Sequence, residues 1–173
     1  MAEKEEKKEK LIYYLCNKLP RKKLDKEIKN FIKETPELEV LRAKILESME
    51  YIEAYAATGQ VRLMEQPLKD IDNLLRNYGL YLPEFLKNEL LKIGLLNGIP
   101  REFEELKLAM ENRSGIGVAK HWKIFQTYIE QFSLIFKEGD LNEGEKMVLS
   151  RWIDEYNRLK EVISDPFHIY RQD

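Results

Sequence analysis

The stretch Val118 to Phe136, VAKHWKIFQTYIEQFSLIF, decides the fold. Val118, Trp122, Phe125, Ile129, Phe132 and Phe136 step along it by 4, 3, 4, 3 and 4. That rhythm places large side chains on one stripe of an α-helix, whereas a strand would alternate every second residue. Leu149, Trp152, Tyr156, Leu159 and Ile163 repeat the rhythm further on, and Lys137-Glu138-Gly139-Asp140 between them reads as a turn. The pattern predicts two long antiparallel helices packed as a hairpin. Two starts for the second helix are equally good capping boxes: Asp140 with Glu143, and Asn142 with Glu145. Each seam runs for about three heptads. Full burial of one large apolar side chain contributes roughly 1.5–3 kcal/mol, so packing rather than helix propensity would hold the pair. Ile124, Tyr128 and Ile135 widen the apolar sector of the first helix beyond what one partner covers. That helix is then either central in a bundle or shared with another subunit.

Working outward, apolar residues recur at helical spacing from Leu11 onward, and strand-like alternation is nowhere sustained. Leu24, Ile28, Phe31 and Ile32 line one side of a short helix that Thr35-Pro36 ends, because proline disfavours the helical conformation in the residue before it. Leu38, Leu41, Ile45, Met49, Ile52 and Tyr55 form a longer run up to Thr58-Gly59. Gln66-Pro67 is expected to start a helix carrying Leu68, Ile71, Leu75 and Tyr78, with Gly79 as its left-handed cap. Pro83 and Pro100 are expected to open two more short helices, with Leu86, Leu90 and Ile93 on the first and Phe103, Leu106 and Met110 on the second. The expected fold is all-α, a multi-helix bundle with the long hairpin at its C-terminal end. Residues 1–10 read as a charged, flexible end, 11–164 as one helical-bundle domain, and 165–173 as a tail.

Charged residues are 35% of the chain, mostly Lys and Glu, and the scarcity of Gln beside them resembles heat-adapted proteins. The longest stretch free of charge, as from Ile93 to Pro100, is far shorter than the ~20 apolar residues that span a bilayer. Met1 to Lys10 lacks the apolar run of a secretory signal, and a single Cys16 excludes an intrachain disulfide and a Cys-based zinc site. A cytoplasmic location is expected, with no membrane contact.

No catalytic set emerges. His121 and His168 stand in no paired metal spacing, and Cys16 follows an apolar run with no histidine near it in sequence. Asp70, Asp72, Glu102, Glu104 and Glu105 are expected in first turns after Pro67 and Pro100, where negative charge favours the helix dipole. Ser114-Gly115-Ile116-Gly117-Val118-Ala119-Lys120 is the most phosphate-loop-like segment, yet it lacks the full motif and follows a helix, so it reads as an interhelical loop. No metal and no cofactor are expected.

Charge is uneven along the chain. Residues 1–34 hold 11 Lys and Arg against 7 Asp and Glu, and the remainder holds 18 against 24. Arg21, Lys22, Lys23, Lys26, Lys29 and Lys33 surround one short helix, and four of them follow i, i+4, i+7, i+11 from Lys22 as one stripe. A stripe of this kind can track a phosphate backbone, with Tyr13 and Tyr14 beside it for stacking on unpaired bases; a solvated helix face is the plainer reading. After Asp165-Pro166, the apolar Phe167, Ile169 and Tyr170 either fold back or dock into a partner. The expected function is a non-catalytic protein-interaction module or accessory subunit, meeting a protein partner or itself through Trp122, Phe125, Phe132, Phe136, Phe167 and Tyr170. The alternative is a small nucleic-acid-binding subunit of a nucleoprotein complex that uses the basic helix.

Overall fold

The structure, a computed structural model, describes residues 2–163. It is an all-α multi-helix bundle, with seven α-helices and no strand among the described residues. The helices are α1 (Ala2–Leu15), α2 (Lys26–Glu34), α3 (Glu37–Ala57), α4 (Val61–Arg76), α5 (Glu84–Glu111), α6 (Gly115–Ile135) and α7 (Glu143–Val162). Short 3-10 turns at Arg21–Lys23 and Glu138–Asp140 precede α2 and α7.

Residues 2–10, expected to belong to a flexible end, form most of α1. Lys and Glu are strong helix formers, and the helix is anchored at its far end by the buried Leu11, Ile12, Tyr14 and Leu15. Ion pairs from Lys7 to Glu27 and from Lys10 to Asp25 tie the charged turns to α2 and the residue before it.

Where the sequence reads as one domain over 11–164, the chain divides into two compact units, one up to Leu91 and one from Lys92. The division falls within α5, because its apolar residues serve two cores. Leu86 and Leu90 join the first unit's core, with Leu15, Ile32, Leu38, Ile45, Ile52, Met64, Ile71 and Leu75. In the second unit, Phe103 of α5 lies edge-on to Trp152 at 5.0 Å, Phe125 is tilted against Phe103 at 5.9 Å, and Trp122 stacks on Tyr156 at 5.4 Å. Aromatic pairs at such separations contribute about 0.5–1.5 kcal/mol beyond the area they bury. Ile124 and Tyr128, which widen the apolar sector of α6, are buried within the chain.

Two prolines expected to start helices lie inside them: Pro67 within α4 and Pro100 within α5. An interior proline costs about 3 kcal/mol or more. In α4 the seam Val61, Met64, Leu68, Ile71 and Leu75 is buried on both sides of Pro67. At roughly 1.5–3 kcal/mol per side chain, keeping that seam continuous outweighs the proline. Leu95, Ile99, Phe103 and Leu106 do the same around Pro100. The carboxylates after these prolines therefore lie away from first turns. Asp72 instead accepts a hydrogen bond from the Leu82 N–H at 2.9 Å and one from Arg76 Nε at 2.7 Å, fastening the chain after α4 back onto that helix.

Helix ends follow local chemistry. Gly59 and Gly79 take φ of 73° and 72°, and the N–H groups of Gln60 and Leu80 reach back to the carbonyls of Tyr55 and Leu75, which is the Schellman closure. Asn17 and Arg113 make the same closure without glycine, at φ of 58° and 53°. Of the two candidate capping boxes, Asn142 with Glu145 forms, at 2.8 and 3.0 Å, while Asp140 lies in the preceding 3-10 turn and accepts from the Lys137 N–H.

Two tests follow from these contacts. A Cβ at Gly79 would meet nothing within 4 Å, so Gly79→Ala loses about 1 kcal/mol through backbone conformation alone, whereas Gly144→Ala, in the first turn of α7 with ordinary contacts, stabilises by up to about 1 kcal/mol. Urea denaturation of the two variants reads both signs. Burial opposes ionisation of Asp72, but Arg76 and the Leu82 N–H outweigh it and hold the carboxyl below its ordinary value. A depressed carboxyl stabilises fully above its unfolded value of about 3.9 and loses that contribution as pH falls through the folded value. The stability gap between the native protein and Asp72→Asn is therefore present at pH 7 and closes below about pH 4, measured by denaturation midpoints across pH.

Candidate functional site

The basic segment is built in two pieces. After Pro20, Arg21–Lys23 makes a 3-10 turn, Leu24 drops into the core, and α2 starts only at Lys26. Lys22 therefore does not share a helix with Lys26, Lys29 and Lys33, and the single-helix stripe expected from spacing is broken at Leu24-Asp25. The turn is nevertheless drawn to the helix, because Lys29 Nζ donates to the Lys22 carbonyl at 3.4 Å. Leu24, Ile28 and Ile32 face the core, but Phe31 is 51% exposed, so the apolar side is narrower than its sequence suggests.

The two acids nearest the start of α2, Asp25 and Glu27, are engaged by Lys10 and Lys7 of α1. Among the described residues, Arg21, Lys22, Lys23, Lys26 and Lys33 form no ion pair, and all five are exposed. Tyr14 is not available as a stacking platform. It is buried, donates its hydroxyl to Glu39 at 3.0 Å, and lies under the Arg42 guanidinium at 4.5 Å from the ring centre. Tyr13 packs partly buried against the same core. Burial pushes both phenols above their ordinary range.

Of the aromatic residues expected to meet a partner, Phe125, Phe132 and Phe136 are core residues. Phe125 and Phe132 are fully buried and Phe136 is buried, while Trp122 is half-buried beneath Tyr156. Sequence periodicity reports which side of a helix is apolar; it does not report whether the chain's own residues already cover that side. Phe167, Tyr170 and His168 lie outside the described residues.

His121 Nδ1 lies 2.9 Å from Glu102 Oε2, with both side chains mostly shielded, which links α6 to α5. The glycine-containing segment, expected as an interhelical loop, is instead the first turns of α6, which Ser114 caps by accepting from the Gly117 N–H at 3.0 Å. A Cβ on Gly117 would come within 2.9 Å of Ser114 Oγ and 3.1 Å of Ala109 Cβ, so glycine there allows the close passage of the α5 end past the α6 start. One N–H that a phosphate would need is thus satisfied internally.

A feature the sequence reading did not single out lies on α3 and α4. Val40, Leu41, Lys44, Leu74, Asn77, Tyr78 and Glu37 line an open groove of about 530 Å³. Val40 is 59% exposed and Tyr78 45%, and Tyr81 and Phe85 follow at 53% and 67%. The signal in the sequence was aromatic density: Tyr78, Tyr81 and Phe85 flank Pro83 with Leu80 and Leu82 between them, and only the two leucines are buried.

Among the described residues, no three of His, Cys, Asp and Glu gather as a metal site, and no helix is long and apolar enough to cross a membrane. The chain matches no family model, no curated protein and no solved structure.

Cys16 is buried at the end of α1, and burial pushes its thiol up to about 11. Because the thiolate is the reactive form, the folded protein should leave Cys16 essentially unlabelled by a thiol reagent at pH 8 and yield one thiol per chain after denaturation. Rapid labelling of the folded chain would contradict this burial.

Proposed function

We propose that this protein is a non-catalytic helical interaction module, an accessory subunit that binds a partner protein through the groove between α3 and α4 that Val40 and Tyr78 line. The observation that supports this reading is the exposure of Val40 and Tyr78 on one concave surface of the first unit. Tyrosine and phenylalanine are enriched where proteins meet, because they bury a large area while few rotamers are lost. Lys44 and Glu37 at the groove offer charges of both signs to orient an incoming apolar segment. The surface replaces the aromatic side of α6 as the place of contact. A cytoplasmic setting, with Cys16 kept as a thiol, belongs to the same proposal.

The test uses the full chain as bait in native extract, beside Val40→Glu and Tyr78→Ala. These positions are exposed, so each variant should keep the helical circular dichroism of the parent. One partner retained by the parent and lost from the variants, or a concentration-dependent self-association lost in the same way, is the expected result. A chain that stays monomeric in sedimentation equilibrium and retains nothing ends the proposal.

A further inference from the structure

A second surface of the first unit shares no residue with the groove. We infer that the cationic face made by the Arg21–Lys23 turn and α2 binds the phosphate backbone of nucleic acid without reading its bases.

Local charge balance supports this. The protein as a whole is slightly acidic, with a net charge of −2, so any attraction for a polyanion must come from a patch. Residues 21–33 contain six cations, and the two acids among them, Asp25 and Glu27, are drawn off by Lys10 and Lys7. That arrangement leaves Arg21, Lys22, Lys23, Lys26 and Lys33 exposed with no carboxylate partner among the described residues. Lys29 is half-buried and holds the Lys22 carbonyl, which keeps the turn against the helix. Lys26 and Lys33 stand seven residues apart on α2, roughly 10 Å along its axis at 1.5 Å per residue. Successive phosphates of one duplex strand rise by about 3.4 Å, so this row spans about three phosphate steps.

The same face lacks what base reading or an acidic protein partner would use. Tyr14 is buried beneath Arg42, and Tyr13 packs against the core. Phe31, the exposed aromatic of α2, is spaced i+4 from Glu27 and i−3 from Glu34, which puts it on the acidic side of the helix rather than among the lysines. Without a stacking platform, bases have nothing to rest on. Without an apolar anchor, a protein partner has no buried centre around which to organise its contacts. Evenly repeated negative charge is the chemistry that remains.

Neutralising Z phosphates makes log K fall with log salt by about 0.9Z on duplex DNA. Five cations therefore give a slope of roughly −4 to −5, and each one removed lowers its magnitude by about 1. The experiment is fluorescence anisotropy of labelled single- and double-stranded DNA and of RNA, each in several sequences, titrated with the full nucleic-acid-free chain from 50 to 200 mM salt. Expected are binding that differs little between sequences, the stated slope on duplex, a slope reduced by about 1 in Lys26→Gln and in Lys33→Gln, and loss of binding in the combined Arg21→Glu, Lys26→Glu, Lys33→Glu variant. Val40→Glu, on the groove, should bind as the parent does, which keeps this test separate from that of the partner groove. Absent binding at 50 mM salt, binding untouched by the charge changes, strong preference for one sequence, or binding of polyglutamate in place of nucleic acid would each overturn the inference.

Discussion

Ile45 and Ile52 of α3, with Met64, Ile71 and Leu75 of α4, leave almost no surface to water, and the first unit is arranged to keep them so. Burial at roughly 1.5–3 kcal/mol per side chain is the largest favourable quantity acting on these helices, and it dominates local preference wherever the two conflict. Pro67 shows the conflict plainly. Its ring and missing N–H oppose a helix interior, yet α4 runs through it because stopping would expose Val61 and Met64 on one side or Leu68 and Ile71 on the other. Pro100 is carried through α5 for the same reason.

Once the apolar seams are hidden, charge is distributed by what lies alongside what. α1 carries lysines that find Asp25 and Glu27, and that pairing has two consequences. It ties to α2 a helix that the buried Leu11, Ile12, Tyr14 and Leu15 already anchor, and it sets two further cations against the acids beside the 3-10 turn and α2. Exposed ion pairs of this kind contribute only ~0–1 kcal/mol each to stability. Their larger effect here is on the surface potential, because Lys7 and Lys10 offset the charge of Glu27 and Asp25 beside the exposed cations.

Aromatic residues divide along the same principle. In the second unit Phe103, Phe125, Trp152, Trp122 and Tyr156 are consumed in one another's contacts. In the first, Tyr78, Tyr81 and Phe85 sit where the chain leaves α4 and enters α5, and the neighbouring Leu80 and Leu82 take the core positions. A large ring left on the surface beside a groove is then a property of chain geometry, not of helical period. For that reason the aromatic helix suggested a contact surface that the protein has already filled, while the groove beside α4 went unread.

Much of the fold was legible because it is local. The 3- and 4-residue steps of α3, α6 and α7, the left-handed glycine after α4, and the Asn142 to Glu145 cap all depend on residues within a turn or so of each other, so the order of residues contains them. Tertiary structure alone decided that two prolines lie inside helices, that the chain forms two compact units, that α1 is ordered against α2, and which aromatic rings and lysines remain exposed. Each of these turns on contacts between residues far apart in sequence. Helical period specifies the direction in which a side chain points; only packing specifies what it meets there.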